Sequence, residues 1–282
     1  MNLMTIEALL HYAANALMAV TDEPSLDAAI LLAKVLHKPR SYLHAWPEKA
    51  VATEEVDRFM RLLANRAAGE PLAYILGKKS FWSVDLLVNS DTLIPRPETE
   101  LLVETVLKRL GHLKTISLAD LGTGSGAIAL SLARERPLWK IHAVDLSEKA
   151  LLIAEKNRAR LALDRVTFHK GSWCHALGDN LFHVIVSNPP YIAEGEWPLY
   201  AEGLAFEPKA ALVSGADGLT AIREIIQTAY TKLHRGGYLF LEHGYQQGEA
   251  VRDLFAKTGT YQGVITLRDL SGHERVTFAQ LV

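Results

Sequence analysis

Between Asp120 and Gly126 the chain reads Asp-Leu-Gly-Thr-Gly-Ser-Gly, with an apolar run before it and a helical pattern after it. Glycines at such a junction let the backbone turn sharply from strand to helix and let a ligand approach with no Cβ in the way. Asp145 follows Gly126 by nineteen residues and closes the apolar run 141–144. A carboxylate at that strand end can accept hydrogen bonds from both hydroxyls of a ribose, so loop and acid together bracket an adenosine. Two cofactors fit this spacing. Gly122, Gly124 and Ala127 satisfy a dinucleotide fingerprint with Ala in the third place, whereas Asp120 with Gly122, Gly124 and Gly126 gives the D-x-G-x-G-x-G run of enzymes that use S-adenosyl-L-methionine (AdoMet). Asp120 favours the second, because a carboxylate near the loop suits a sulfonium-bearing amino acid better than a pyrophosphate. A plain turn is the competing structural reading, and the placed Asp145 argues against it.

A second constellation follows the β-type run Val184-Ile185-Val186-Ser187, which ends in Asn188-Pro189-Pro190-Tyr191. Two successive prolines fix φ and remove two backbone donors, so the segment offers carbonyl oxygens and the Asn188 side chain in a stiff arrangement. An NH2 on an sp² carbon needs two acceptors, and Tyr191 supplies a flat face for its plane. The corner is shaped for a planar amide or an exocyclic base amine. Such a grip has a chemical purpose: an amide nitrogen is a poor nucleophile, and acceptors on its hydrogens stabilise the positive charge that grows there during attack. With AdoMet the protein need only align nitrogen, methyl carbon and sulfur, and no metal is needed. An Asn-Pro turn that merely closes a strand is the bland alternative.

These residues need a sheet to hold them. Apolar runs near 116–121, 141–145, 184–187 and 238–241 alternate with helical patterns at about 126–135, 147–162 and 218–233, which predicts βαβ units and a parallel sheet. Upstream, 78–88 alternates in the β manner and predicts a hairpin, and Pro97 with Glu98 and Glu100 suits a helix start. The first 70 or so residues read as helices only. Ile6, Leu9, Leu10, Ala13 and Leu17 form one stripe behind a cap at Thr5; Leu26, Ala29, Ile30, Ala33 and Leu36 form another after Ser25, stopped by Pro39. A third helix is expected from Thr53, with Glu54 and Glu55 in its first turn, to Gly69. These helices predict a small bundle, either a folding cap or a docking module for a macromolecule.

Composition narrows the class. The 282 residues are 49 % hydrophobic and 22 % charged, the profile of a packed chain of one or two domains. Thirty basic against 32 acidic residues leave a net charge of −2, so no whole-molecule positive field holds a phosphate backbone, and nucleic acid loses ground as substrate. Cys174 is the only cysteine, which excludes a disulfide within the chain and fits a reducing compartment; a small buried residue is the expected role for it. No apolar run is long enough to span a bilayer and no basic n-region precedes Glu7, so a soluble, cytoplasmic protein with no membrane partner is expected.

At these residues the sequence resembles the class I AdoMet methyltransferases, and more closely the HemK/PrmC family of peptide-chain release factor glutamine methyltransferases. The likeness covers nearly the whole chain. It includes the runs 69–75, 92–100, 207–208 with 211–212, 215–219 and 242–244, and the stretch from Pro95 to Glu100 beside the Asn188–Tyr191 corner is its most specific part. What it implies is an α/β fold, a Rossmann-like class I methyltransferase domain with a mostly parallel seven-stranded sheet, and a small N-terminal all-helical bundle joined by a β-hairpin. The bundle is expected over 1–75, the hairpin linker over 76–96 and the methyltransferase domain over 97–282. The implied reaction moves a methyl from AdoMet to the side-chain nitrogen of the Gln in the Gly-Gly-Gln motif of a release factor, leaving S-adenosyl-L-homocysteine. Carried over by position, Gly122, Thr123, Gly124, Ser125, Gly126, Asp145, Trp173 and Asn188 would hold the cofactor. Asn188, Pro189 and Tyr191 would be catalytic, and these with Pro190 would bind the substrate amide. The helical bundle would help to dock the release factor. One departure is His183, where relatives usually carry Asp, and it touches only local packing.

Three other readings compete. A DNA or RNA amino-methyltransferase also grips an NH2 on a flat ring, but must extrude a base and bind phosphates, against the near-neutral charge. A release-factor-binding protein with a dead methyltransferase fold would not need Asp145 and Asn188 intact. A nicotinamide dehydrogenase would use the glycine loop alone.

Overall fold

The computed structural model describes residues 4–282, so the first three residues of the stretch assigned to the bundle lie outside the described residues. The chain divides between Gly77 and Lys78 into two compact units.

The first unit is helical. Helix α1 (Ile6–Leu17) is capped by Thr5, whose side chain accepts from the Ala8 N–H, and it buries Ile6, Leu9, Ala13 and Leu17. Helix α2 (Pro24–Leu36) starts one residue ahead of Ser25, after which the sequence pattern begins. Proline lacks only an N–H that the first helical turn leaves unbonded anyway, so Pro24 opens the helix and Ser25 falls inside it. The short α3 (Arg40–Ala45) and α5 (Leu72–Leu76) flank α4 (Thr53–Ala67), which carries Glu54 and Glu55 in its first turn and buries Phe59 and Leu63. Asp27 on α2 and Arg66 on α4 form a 2.8 Å ion pair, nearly removed from solvent, across the apolar cluster that these helices share.

The second unit opens with the hairpin, β1 (Lys78–Phe81) and β2 (Val84–Leu87). Phe81, Val84 and Leu86 are buried in this unit's own core, alongside residues of α6 (Glu100–Leu110). Beyond α6 the strands and helices alternate: β3 (Ser117–Leu121), α7 (Ala127–Glu135), β4 (Lys140–Asp145), α8 (Glu148–Leu161), β5 (Val166–Lys170), β6 (Phe182–Ser187), α9 (Trp197–Leu204), α10 (Thr220–Ala229), β7 (Leu233–Glu242), α11 (Gly248–Thr258), β8 (Tyr261–Arg268) and β9 (Glu274–Leu281). The four apolar runs read from sequence are β3, β4, β6 and β7. Periodicity in the sequence points to none of β5, β8, β9, α9 and α11.

The seven strands form one sheet in the order β5-β4-β3-β6-β7-β9-β8. All pairs from β5 to β7 are parallel; β9 pairs antiparallel with both β7 and β8. Parallel strands covered on both faces must be apolar on both, which is why β3 and β6 read as continuous apolar runs. Leu118, Val184 and Val186 belong to the core under α6 and α7, while Ala119, Leu121 and Ile185 belong to the core under α10 and α11. Strand order reverses between β3 and β6, and in a doubly wound sheet the crevice outside the strand C-termini at such a reversal is where ligands bind. Leu121, Asp145, Ser187 and Glu242 are the C-terminal residues of β3, β4, β6 and β7.

Cys174 is buried as expected, and burial pushes its thiol up to about 11, so it is inert at neutral pH. His183 is a local fastener: its Nδ1 accepts from the Ser117 N–H at 3.1 Å. Among the described residues no helix is long and apolar enough to cross a membrane.

Candidate active site

The glycine loop leaves β3 at Gly122 and enters α7 after Gly126, with φ of +75°, +57° and +88° at Gly122, Gly124 and Gly126, a region that costs any other residue strain. The loop is pinned to β4: the N–H groups of Gly122 and Thr123 donate to the Val144 carbonyl at 2.8 and 2.9 Å, and that of Gly124 donates to Asp145 Oδ2 at 2.8 Å. Asp145 Oδ1 accepts from the Ser147 N–H, also at 2.8 Å. Burial raises the Asp145 pKa, and the N–H groups of Ser147, Gly124 and Leu146 work against that rise. The carboxylate still has an acceptor site left over.

Gly122, Gly124, Asp145, Trp173 and Asn188 line one cavity of about 360 Å³. A Cβ on Gly124 would meet nothing within 4 Å, so the backbone there faces open space; one on Gly122 would come within 3.2 Å of the Trp173 ring. Glycine at 122 thus lets Trp173 lie against the loop. The cavity has the size, the bare backbone, the carboxylate and the aromatic wall that an adenosine-containing cofactor requires. Thr123, Ser125 and Gly126 do not line it. Thr123 Oγ1 donates to Asp120 Oδ2 at 2.7 Å, the Ser125 carbonyl accepts from Asn157 Nδ2 at 2.9 Å, and Gly126 starts α7. Asn157 also exchanges two hydrogen bonds with the Leu87 backbone, which fastens the hairpin to the loop.

Asp120 is not where the sequence reading put it. It is fully buried beneath the loop, outside the cavity wall, where Oδ2 accepts from Thr123 and from the Ala129 N–H while Oδ1 has no partner. Burial pushes it up to about 7. Position 120 faces inward because strand residues alternate and the neighbours Ala119 and Leu121 fill the opposite core. Asp120 shapes the loop through Thr123 and α7 and does not present a charge to the cofactor.

The Asn188–Tyr191 corner leaves β6 beside the loop, where Ser187 Oγ donates to the Leu121 carbonyl at 2.6 Å. Asn188 lies in the wall of the first cavity and also of a second one, about 660 Å³, with Pro190, Leu93 and Ala211 shared between them. Tyr191, Arg96, Tyr200 and Arg275 line the second cavity only. The Tyr191 and Ile192 N–H groups donate to the Leu212 carbonyl, which anchors the corner. Pro189 is buried and lines neither cavity. Asn188 Nδ2 donates to Thr99 Oγ1 at 3.0 Å, leaving Oδ1 as its free end.

Three supporting residues carried no role in the sequence reading. Thr99 is buried at the end of the turn that precedes α6. Glu242, at the end of β7, is buried and accepts from the Tyr191 hydroxyl at 3.4 Å. Burial pushes Glu242 up to about 7, with the nearby Thr99 and Tyr191 hydroxyls and the Arg275 charge pulling it down and Glu98 pushing it up; its Oε2 has no hydrogen-bond partner. Glu207 is buried too; its carboxylate accepts from the Ile94 N–H at 2.9 Å and pairs with Arg96. Each lies in a run quoted for the resemblance, but only the fold shows the pairings, because the partners are far apart in sequence.

Residues 8–77 match the family described as PrmC N-terminal domain, and residues 97–217 match the methyltransferase small domain. The release factor glutamine methyltransferase of Pseudomonas aeruginosa is 52 % identical over 261 residues, covering 92 % of this chain and 94 % of that protein. The protein of the same name from Vibrio cholerae is 48 % identical over 279 residues, 98 % of this chain and 97 % of its own length. Among solved structures, a methyltransferase from Pyrococcus furiosus superimposes with a TM-score of 0.52 at 20 % identity, covering 80 % of this chain and 98 % of that one. The catalytic domain of human Mettl16 does so with a TM-score of 0.59 at 16 % identity, over 77 % and 81 %. These structural likenesses establish the fold.

Proposed function

The chain belongs to the release factor glutamine methyltransferases, and from that membership we propose that it methylates the side-chain amide nitrogen (N5) of the Gln in the Gly-Gly-Gln motif of a peptide-chain release factor, using S-adenosyl-L-methionine and releasing S-adenosyl-L-homocysteine. The observation that carries the site assignment is Asn188, the polar side chain among the four in the wall of both cavities. The smaller cavity takes the cofactor. Asp145 receives the ribose hydroxyls, Gly122 and Gly124 let the cofactor lie against bare backbone, and Trp173 flanks the adenine. When bound, AdoMet supplies a methyl group already activated by its sulfonium.

The larger cavity takes the glutamine. Asn188 Oδ1 accepts a hydrogen bond from the substrate NH2, the Tyr191 ring lies along the amide plane, and the proline pair keeps the corner from yielding as charge develops. An acceptor fixed before reaction costs no reorganisation when the nitrogen becomes positive, and that is where the rate gain arises. Pro189 acts through its place in this rigid corner, and Pro190 forms the wall between cofactor and amide. Residues 97–282 carry out the transfer with the hairpin of 76–96 packed in, while the helical bundle, 1–75, docks the release factor. The setting is the cytoplasm, where release factors work.

Transfer of labelled methyl from AdoMet to purified release factor tests the reading. Label is expected on intact release factor, with none on a variant whose motif Gln is replaced and none on duplex DNA. Label on DNA alone would overturn it.

A further inference from the structure

Two successive prolines fix φ at positions 189 and 190, but they leave free the ψ of Tyr191, which sets the direction of its carbonyl. The restraint comes from outside the corner. Gln247 stands just ahead of α11, and its side-chain amide spans two backbone groups far apart in the chain. Oε1 accepts from the Gly244 N–H and Nε2 donates to the Tyr191 carbonyl, each at 2.9 Å. We propose that Gln247 is a positioning residue for the methyl transfer, holding the backbone from which the Tyr191 ring projects along the substrate amide. This rests on the reading of the larger cavity as the glutamine site.

Both partners of Gln247 have a single role, since an N–H only donates and a carbonyl only accepts. One orientation of the amide therefore satisfies both. A carboxylate in its place would set an oxygen against the Tyr191 oxygen, and a thioether would fill the space and hold neither group. The bond is also closely covered. Gly218 is buried with a φ of +73°, and a Cβ there would collide with the Tyr191 carbonyl oxygen and stand 2.7 Å from Gln247 Nε2.

Every polar group of Tyr191 is thereby engaged. Its N–H donates to the Leu212 carbonyl at 3.1 Å, its hydroxyl to Glu242 Oε1 at 3.4 Å, and its carbonyl accepts from Gln247. The hydroxyl bond is the longest and acts at the tip of the side chain; the Gln247 bond acts at its root. Gly244, Tyr245, Gln246 and Gln247 line the larger cavity together with Tyr191, so the amide of Gln247 joins two stretches of one wall. None of these residues lines the smaller cavity, and loss of the bond leaves the cofactor wall in place.

Release-factor methylation by variants at position 247 tests the proposal. Gln247→Met keeps the length and removes both bonds; Gln247→Glu keeps the acceptor for Gly244 and opposes the Tyr191 carbonyl. Each is expected to lower kcat about 10-fold, with KM for the release factor within about 3-fold and the Kd for AdoMet within about 2-fold of wild type. The retained Kd also reports that the domain is folded. In a Tyr191→Ala background, Gln247→Met is expected to cost less than about 2-fold in kcat, because the ring that it positions is gone. Wild-type kcat in either single variant, a Kd for AdoMet that weakens as much as kcat falls, or an equal loss in both backgrounds would each overturn the positioning role. A wild type that leaves glutamine unmethylated would instead overturn the function on which it rests.

Discussion

The Gly124 N–H donates to Asp145 Oδ2 at 2.8 Å, so the loop after β3 and the acid that closes β4 form one hydrogen-bonded unit. The carboxylate proposed to receive the ribose thus also sets the curve of the loop beside the smaller cavity. Asp145→Ala removes the proposed ribose acceptor and leaves the Gly124 and Ser147 N–H groups without their partner. Two lost charge-assisted bonds correspond to about 2–3 kcal/mol, so the Kd for AdoMet measured by calorimetric titration is expected to rise by about 30-fold or more. An unchanged Kd would remove Asp145 from the cofactor site.

Gly122 and Trp173 form a matched pair. Gly122→Ala asks a Cβ to sit at φ +75°, only 3.2 Å from the tryptophan ring. Cofactor affinity is expected to fall by about 10-fold from strain of the order of 1–2 kcal/mol. Trp173→Ala is expected to weaken binding as well, and the double variant should lose less than the sum of the two, because the clash needs both. Strict additivity in titrations of the three variants would contradict the contact.

Asp120 ties stability to pH. Its native pKa, pushed up to about 7 by burial, lies above the ordinary 3.8, so the native state keeps its proton longer than the unfolded chain does. The stabilisation is complete below about pH 4 and is lost as pH rises through about 7. Asp120→Asn cannot ionise. Between about pH 5 and about pH 8 it is expected to gain about 2–3 kcal/mol relative to wild type, read from urea unfolding at each pH. The comparison isolates Asp120, since the other groups with shifted pKa values, Glu242, His142 and His243 among them, are present in both proteins. Parallel curves would show that Asp120 ionises as freely in the fold as outside it.

Glu207 fastens the segment that shares walls with both cavities. Removing its carboxylate strands the buried Ile94 N–H and frees Arg96, which lines the larger cavity. Glu207→Ala is expected to lose about 2–3 kcal/mol of stability in urea unfolding. It is also expected to raise KM for the release factor more than it lowers kcat. A variant with wild-type stability would show that the pairing is incidental.

The parts of the molecule legible in sequence are those whose signal is local. Thr5 and the apolar stripe behind it are recoverable because cap and face lie within one helix. The glycine loop and Asp145 are recoverable because a tight turn and a strand end each leave a fixed residue type. Strands β5, β8 and β9 escaped because polar residues interrupt them. Val166–Lys170 lies at the sheet edge and buries only Val166 fully, and β9 acquires its place only by inserting antiparallel between β7 and β8. The inward face of Asp120 is not legible in sequence, because a motif gives order along the chain and not the face of the strand. Thr99, Glu207 and Glu242 stayed silent for a related reason: each bonds to a residue that only the closed sheet brings near.

The proposed methyl transfer depends most on one atom, the Asn188 side-chain oxygen as acceptor for the substrate amide. Single-turnover methyl transfer by Asn188→Ala, with the variant saturated by AdoMet and release factor, addresses it directly. Loss of a preorganised polar partner predicts a rate lower by about 100-fold or more, with release-factor binding retained. A rate equal to wild type would place the amide grip elsewhere and contradict the assignment of the corner.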